Sequence, residues 1–264
     1  MTVDQLKKQL DREIDKFPAE VSVLLTDLTS GEVRYAHAPE TQVVSASTIK
    51  LAILLTALDQ VAQGTRKLSD ELEVLPEDIL PDTAVFERGI STYTLWELLY
   101  WMIVESDNTA TNVCIEALGY DAINAYCHNV LKIESTGCRR KMLDFDAIKE
   151  GRNNYTSAAD QYVMYHALYS GKILTPKLRT TALNILRRQR CNDAFLRYIA
   201  DPVTVAHKTG GLDFLAHDAG VFELPGHPYY LGVFTWNGPS KEGDPTQKQF
   251  IGRLAKAVYE TYNP

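Results

Sequence analysis

Apolar positions along the chain alternate between two periods. Residues 3–17 put Leu6, Leu10, Ile14 and Phe17 on one helical stripe, and Pro18 stops the helix that this spacing predicts. Residues 21–28 and 33–38 read as two strands, with Thr29, Ser30 and Gly31 as the turn between them. A helix is expected over 47–63, most apolar from Leu51 through Leu58 and closed by Gly64. The 70–90 stretch is broken by Pro76, Pro81 and Gly89 and predicts connecting segments. Helices follow over 94–104, which carries Leu95, Leu98, Leu99 and Ile103, over 109–118, which ends at Gly119, and over 121–130. Ser106 to Asn108 interrupts the first two. Residues 134–155 look irregular and polar, and 156–169 and 177–189 are again helical. The pattern then changes: 203–207 is a strand running into Lys208-Thr209-Gly210-Gly211, 216–224 and 229–236 are strands joined across Pro225-Gly226-His227, and 247–262 is a closing amphipathic helix.

Neither set of strands buries a face alone, so the two must meet in one antiparallel sheet. The expected class is α+β: a sheet from both termini, flanked by terminal helices, with an all-helical lobe inserted. We expect one domain over 1–264, in which 1–46 and 203–264 form the α/β lobe and 47–202 the helical one. No repeat, low-complexity tract or interdomain linker interrupts this pattern.

Composition narrows the function. The chain has 264 residues, 45% of them apolar, and a net charge of -7. No basic face of the kind a nucleic-acid binder needs is evident. No apolar run is long enough to cross a bilayer, and the polar first 17 residues contain no secretory apolar core. The chain as written is expected to be cytoplasmic; a mature form that had lost a leader would be extracytoplasmic and would read the same. Cys114, Cys127, Cys138 and Cys191 form no CxxC pair and fit no zinc spacing, so reduced, mostly buried thiols are expected. The chain has no HExxH, and its six histidines do not cluster at ligand spacing. Neither a Walker-type phosphate loop nor a dinucleotide fingerprint is present.

Three short motifs carry candidate chemistry. Ser47-Thr48-Ile49-Lys50 opens the most apolar helix, and a three-residue helical spacing lets a lysine amine reach the serine hydroxyl. A buried lysine beside another cation can lose its proton near neutral pH and act as a base. Alone, the tetrapeptide is more simply a serine cap and an exposed lysine. Ser106-Asp107-Asn108 is, alone, a polar turn with a helix cap; as a site it offers a hydroxyl relay and an amide. Lys208-Thr209-Gly210-Gly211 is, alone, a turn; as a site it offers a cation, a hydroxyl and backbone free to approach a substrate.

The three together, in this order, resemble the signature set of class A β-lactamases and penicillin-binding proteins. The intervals, 59 residues from Ser47 to Ser106 and 102 from Ser106 to Lys208, are similar to those of class A enzymes. The order of elements resembles that family over nearly the whole chain. The resemblance implies a β-lactamase/D,D-peptidase-like fold and an acyl-enzyme formed at Ser47. Lys50 would be the base or part of the proton path, and Ser106 the relay to the leaving nitrogen. Lys208 and Thr209 would anchor the substrate carboxylate, and Asn108 would meet the substrate amide. The Gly211 and Ser47 N–H groups would form the oxyanion hole. It implies no cofactor or metal, a small-molecule substrate and a monomer.

In one respect the chain departs from the family. Class A enzymes carry a glutamate that activates the deacylating water. Counting 36 residues on from Ser106 reaches Met142, inside Arg139-Arg140-Lys141-Met142-Leu143-Asp144-Phe145-Asp146. Without a base for water the acyl-enzyme should persist, unless Asp144 or Asp146 replaces it in a reshaped loop. The basic run 139–141 is expected to be solvated rather than to meet a substrate carboxylate, and His217 to be a strand-surface or buried, hydrogen-bonded histidine rather than an aid to that carboxylate. A D,D-peptidase-like enzyme and a non-catalytic β-lactam or peptidoglycan-fragment sensor stand as alternatives to a β-lactamase.

Overall fold

The structure, a computed structural model, describes residues 1–86, 91–241 and 243–263. Gly89, counted above among the breaks in the 70–90 stretch, lies outside the described residues. Helix α1 (Val3–Lys16) starts in a capping box between Thr2 and Gln5 and buries Leu6, Leu10 and Ile14. Strands β1 (Glu20–Asp27) and β2 (Val33–His37) form a hairpin pinned by Asp27 Oδ1, which accepts from the Thr29 and Ser30 N–H groups. The two-residue strand β3 (Val43–Val44) leads into a 3-10 turn, Ala46–Ile49, and then α2 (Lys50–Ala62). A small ribbon, β4 (Glu71–Glu73) with β5 (Thr92–Thr94), precedes α3 (Leu95–Val104), whose start is fixed by Thr94 and Glu97 as a second capping box.

Asp107 caps α4 (Asn108–Leu118), which ends at Gly119 with φ +82°. Helix α5 (Tyr120–Ala125) runs on into a π-helical turn, Tyr126–Leu131. Asp144 caps the short α6 (Phe145–Lys149), which β6 (Tyr155–Thr156) follows. Ser157 caps α7 (Ala158–Ser170), and Thr175 caps α8 (Pro176–Leu186), with proline at its first position. Three strands, β7 (Val205–Leu212), β8 (Leu215–Phe222) and β9 (Tyr229–Trp236), and helix α9 (Thr246–Tyr262) complete the fold.

The main sheet has the order β2-β1-β9-β8-β7 and is antiparallel throughout. Both of its faces are covered. Val23, Leu25, Leu231 and Val233 pack against Leu6, Leu10, Phe250 and Leu254 of α1 and α9. On the other face Leu24, Val221, Tyr230 and Phe234 join the core of the helices between the two strand sets. Burial on both faces explains why β1 is buried from Val21 through Thr26 rather than alternating.

The expected strands and long helices are present, with shifts of a few residues. The 47–63 helix is the exception in kind: Ser47 lies in the 3-10 turn, and regular α-helix starts only at Lys50. The Lys208–Gly211 stretch is not a turn after a strand but the second half of β7, held by pairing with β8 as far as Leu212↔Leu215. The 134–155 region contains α6, and β6 pairs there with β3. Two-residue ladders are too short to carry a period, which is why the sequence pattern misses them. No helix among the described residues is long and apolar enough to cross a membrane.

Candidate active site

Three different devices bring the three motifs together. Ala46 is held at φ +45°, and Thr48 Oγ1 donates to Ser45 O at 2.7 Å, so the turn presents Ser47 half-buried at the cleft. Ser106 links α3 and α4 with φ +56°. A left-handed backbone costs a residue with a Cβ on the order of 1 kcal/mol or more, and such strain persists where surrounding contacts hold it. Here Asp107 holds the next residue: it accepts from the Ala110 N–H at 2.8 Å and from the Thr83 hydroxyl. The third motif lies on β7, an edge strand of the main sheet. A Cβ added at Gly210 would meet Ser45 O at 3.0 Å and Ser47 N at 3.2 Å, so glycine lets this strand close on the Ser47 turn.

One hydroxyl joins two buried amines. Lys50 Nζ donates to Ser106 O at 2.6 Å, to Ser106 Oγ at 3.1 Å and to Asn108 Oδ1 at 2.8 Å. Lys208 Nζ donates to the same Ser106 Oγ at 2.9 Å and to Thr209 O at 3.0 Å. Both lysines are 0% exposed. Burial, and then the Lys208 charge, holds the Lys50 pKa well below its ordinary 10.5. Burial brings Lys208 down to about 8, with Cys191 and Asp218 opposing. The surroundings thus favour one charge shared between the two amines over two. Ser47 Oγ makes no hydrogen bond among the described residues; the Lys50 amine is turned to Ser106 and Asn108. Asn108 Nδ2 donates to Asp82 Oδ2 at 2.6 Å, so an aspartate that no motif flagged orients this amide.

Ser47 borders two spaces. A cavity of about 510 Å³ is lined by Ser47, Ser106, Asn108, Thr209 and Gly211, with Lys50 and Lys208 buried beneath. Its outer wall carries Arg190, which pairs with Glu105, and Lys248, which pairs with Asp193 at 2.6 Å. His217 also lines it, 1% exposed, with Nε2 2.8 Å from Val44 O. Burial lowers the His217 pKa to about 4, which keeps the ring neutral. His217 is thus the buried, hydrogen-bonded histidine of the two expected alternatives.

The second space is a recess of about 50 Å³ on the other side of Ser47, walled by Met142, Leu143, Phe145, Ile148 and Leu212, with Arg140. Met142 therefore does stand beside Ser47, and it is clamped there: Asn112 Oδ1 accepts from the Met142 N–H at 2.6 Å and Asn112 Nδ2 donates to Met142 O at 3.2 Å. Asn112 lies one helical turn after Asn108, a spacing that marks the same face of α4. Neither aspartate suggested as a substitute base lines the recess. Asp144 Oδ1 is taken by the Ala147 N–H at 2.9 Å, and Asp146 is exposed and pairs with Lys149 at 2.8 Å.

The basic run is not uniformly solvated, contrary to expectation. Lys141 pairs with Glu116 at 2.7 Å, and Arg139 lies over the Tyr155 ring at 5.5 Å, but Arg140 is 3% exposed. Arg140 Nε donates to Asn153 Oδ1 at 2.9 Å, and Nη1 to Lys141 O at 2.9 Å. Asn154 holds the neighbouring chain, accepting from the Arg139 N–H at 2.6 Å and the Arg140 N–H at 3.0 Å. The four cysteines are free thiols. Cys114, Cys127 and Cys138 are buried, and Cys191 lines the large cavity.

With this geometry in hand, comparison with known proteins gives a consistent result. The family described as "Beta-lactamase enzyme family" matches residues 5–262. β-Lactamase VEB-1 of Pseudomonas aeruginosa is 25% identical over 233 residues, covering 82% of this chain and 77% of that protein. Among solved structures, a β-lactamase from Chitinophaga pinensis superposes with a TM-score of 0.89 at 20% identity, covering 98% of this chain and all (100%) of that one. PBP-A superposes with a TM-score of 0.86 at 26% identity, covering 98% and 96%. A point mutant of PBP-A, equally similar, was solved as an acyl-enzyme complex with penicillin G.

Proposed function

The chain belongs to the β-lactamase enzyme family, and from that premise we propose that Ser47 is its acylated nucleophile, in a site where acylation outpaces deacylation. The family assignment makes the protein a β-lactamase-like serine hydrolase of the class A type, acting on a small molecule through an acyl-enzyme. The residue roles and the slow second step are our reading, in a monomer.

The observation that carries this reading is the Ser106 hydroxyl held between Lys50 and Lys208 at the edge of the cleft that Ser47 fronts. Lys50, its pKa held well below the ordinary value by burial and by the Lys208 charge, turns from Ser106 Oγ toward Ser47 and accepts the Ser47 proton as Oγ bonds to the substrate carbonyl. Two of its N–H donors stay on Ser106 O and Asn108 Oδ1, and its lone pair is left for the incoming proton. As the amide C–N bond breaks, the Ser106 hydroxyl protonates the leaving nitrogen and is reprotonated by Lys50. The Ser47 and Gly211 N–H groups hold the oxyanion. Lys208 and Thr209 take the substrate carboxylate, and Asn108 Nδ2 has a second hydrogen free for the substrate amide.

Deacylation needs a water and a base on the other side of Ser47. There the recess offers Met142, Leu143, Phe145, Ile148 and Leu212, and its one charged side chain is a cation. No carboxylate among the described residues lines it, so an ester at Ser47 is expected to last. That observation also favours a D,D-peptidase-like reading. Incubation with a chromogenic cephalosporin, followed by intact mass and absorbance, tests the proposal. We expect one adduct per chain, slow colour release after a burst, and no adduct in Ser47→Ala. Labelling that survives in Ser47→Ala would reject the nucleophile, and steady turnover without an accumulating adduct would reject slow deacylation.

A further inference from the structure

Arg140 is a buried cation without a partner acid. It is 3% exposed and lines the recess beside Ser47, and no carboxylate lies within ion-pair distance of it among the described residues. Its two hydrogen bonds go to neutral oxygens, of Asn153 and Lys141, on a side chain that has five N–H donors. Asp144 acts on it only through space, and one of its carboxylate oxygens is committed to capping α6. Burying an unpaired guanidinium is costly, and such groups are normally matched by an anion. The rest of the recess is apolar, and Phe145 at its wall is 57% exposed, an aromatic surface with nothing packed over it.

Position says which part of a substrate would reach this space. Ser106, the proposed donor to the leaving nitrogen, lines the large cavity and not the recess, whereas Ser47, Asn108 and Gly211 line both. A carbonyl bonded to Ser47 therefore sends its leaving group into the large cavity and its acyl substituent toward the recess. At about 50 Å³ the recess has room for a short chain end, since roughly 10–15 Å³ on the same measure holds one water.

We infer that Arg140, on the wall of the recess that receives the acyl substituent, selects substituents ending in a carboxylate on a short apolar stem. The inference rests on the Ser47 reading above and names the substrate class of that site. The stem lies along Met142, Phe145 and Ile148, and the carboxylate supplies the charge partner that Arg140 lacks.

The test compares two penicillins that differ only in charge: one with a glutaryl chain on the 6-amino group, and the same compound with its terminal carboxylate converted to the amide. The second-order acylation rate is read by intact mass. The carboxylate should acylate the wild type at least about tenfold faster than the amide. In Arg140→Gln that ratio should fall to about one or below, and Arg140→Lys should keep part of it. Asp144→Asn, which retains the α6 cap and removes the opposing charge, should raise it. A role limited to bracing the loop would slow both probes alike in Arg140→Gln and leave their ratio unchanged, which overturns the inference. So does a wild-type ratio of one or less, a measurement that decides the matter even should Arg140→Gln fail to fold. Labelling by the cephalosporin but by neither glutaryl probe also overturns it while leaving Ser47 intact. Labelling by none of them defeats the Ser47 reading, and this inference with it.

Discussion

Gly210 and Ser47 touch through their backbones: a Cβ on Gly210 would stand 3.2 Å from Ser47 N, with Ser45 O at 3.0 Å and the Ala46 Cβ at 3.2 Å. The obstacle is largely main chain, which cannot swing aside as a flexible side chain would. Gly210→Ala should therefore push β7 off the Ser47 turn and carry Thr209 and Gly211 with it. We expect acylation to slow about 10²-fold, the cost of a misplacement near 1 Å. Stability should fall by about 1–3 kcal/mol, as in other overpacked sites. Adduct formation by mass and thermal unfolding check the two.

Ser106 is expected to matter for the rate more than for the fold. Among the described residues its hydroxyl is the one group that both lysine amines reach, yet each amine has a second acceptor: Thr209 O for Lys208, and Ser106 O with Asn108 Oδ1 for Lys50. Ser106→Ala keeps all of those. Acylation should drop by about 10²–10⁴-fold, the range for losing a positioned proton donor, with unfolding shifted by no more than about 1 kcal/mol.

Lys208 sets an upper pH limit on the proposed reaction. Its folded-state pKa of about 8 lies below the ordinary 10.5. Acylation of a carboxylate-bearing β-lactam should fall as pH rises through about 8, when the amine loses its charge. Stability runs the other way. Between about 8 and 10.5 the unfolded chain binds a proton that the folded chain has released, so this group makes stability rise with pH across that window. Lys208→Met should flatten both trends, read by acylation rates and by denaturant midpoints from pH 7 to 10.5.

His217 predicts an acid-sensitive window. Its pKa is about 4 in the fold and 6.5 ordinarily. As pH drops below 6.5 the unfolded chain takes up a proton that the folded one refuses, so stability declines until about pH 4. The full effect is about 3 kcal/mol, at 1.36 kcal/mol per pKa unit. His217→Gln should remove most of this slope in urea unfolding followed from pH 7 to 4.

Most of the fold was legible because its signals are local and repeated. The stripe of Leu6, Leu10 and Ile14, the Gly64 and Gly119 stops, and the run of strand residues in β9 each announce their element over several positions. The candidate site was legible because Ser47, Lys50, Ser106 and Lys208 lie in recognisable tetrapeptide and tripeptide motifs. What was not legible depends on contacts between distant segments. Arg140 looks like one more basic residue in a charged run, and only the folded loop buries it against Asn153. Asp82 and Asn112 have no motif around them, and their importance arises from Asn108 and Met142, 26 and 30 residues away. The strand assignment of Lys208 to Gly211 was missed because two adjacent glycines suggest a turn, and the pairing with β8 overrides that preference.

Strand β1 pairs with β9 along all eight of its residues, beginning with Glu20 against Trp236, 216 positions on. During synthesis, then, β1 meets β2 at once but emerges long before β9 exists. The helices between can collapse early, but the sheet that presents Lys208 to Ser106 closes only after β9 has left the ribosome. Loop-closure entropy makes such long-range pairing slow. Partly made chains therefore display a β1–β2 hairpin whose other β1 edge is unpaired, and a nascent-chain assay should detect β-lactam labelling at Ser47 only once β9 has emerged.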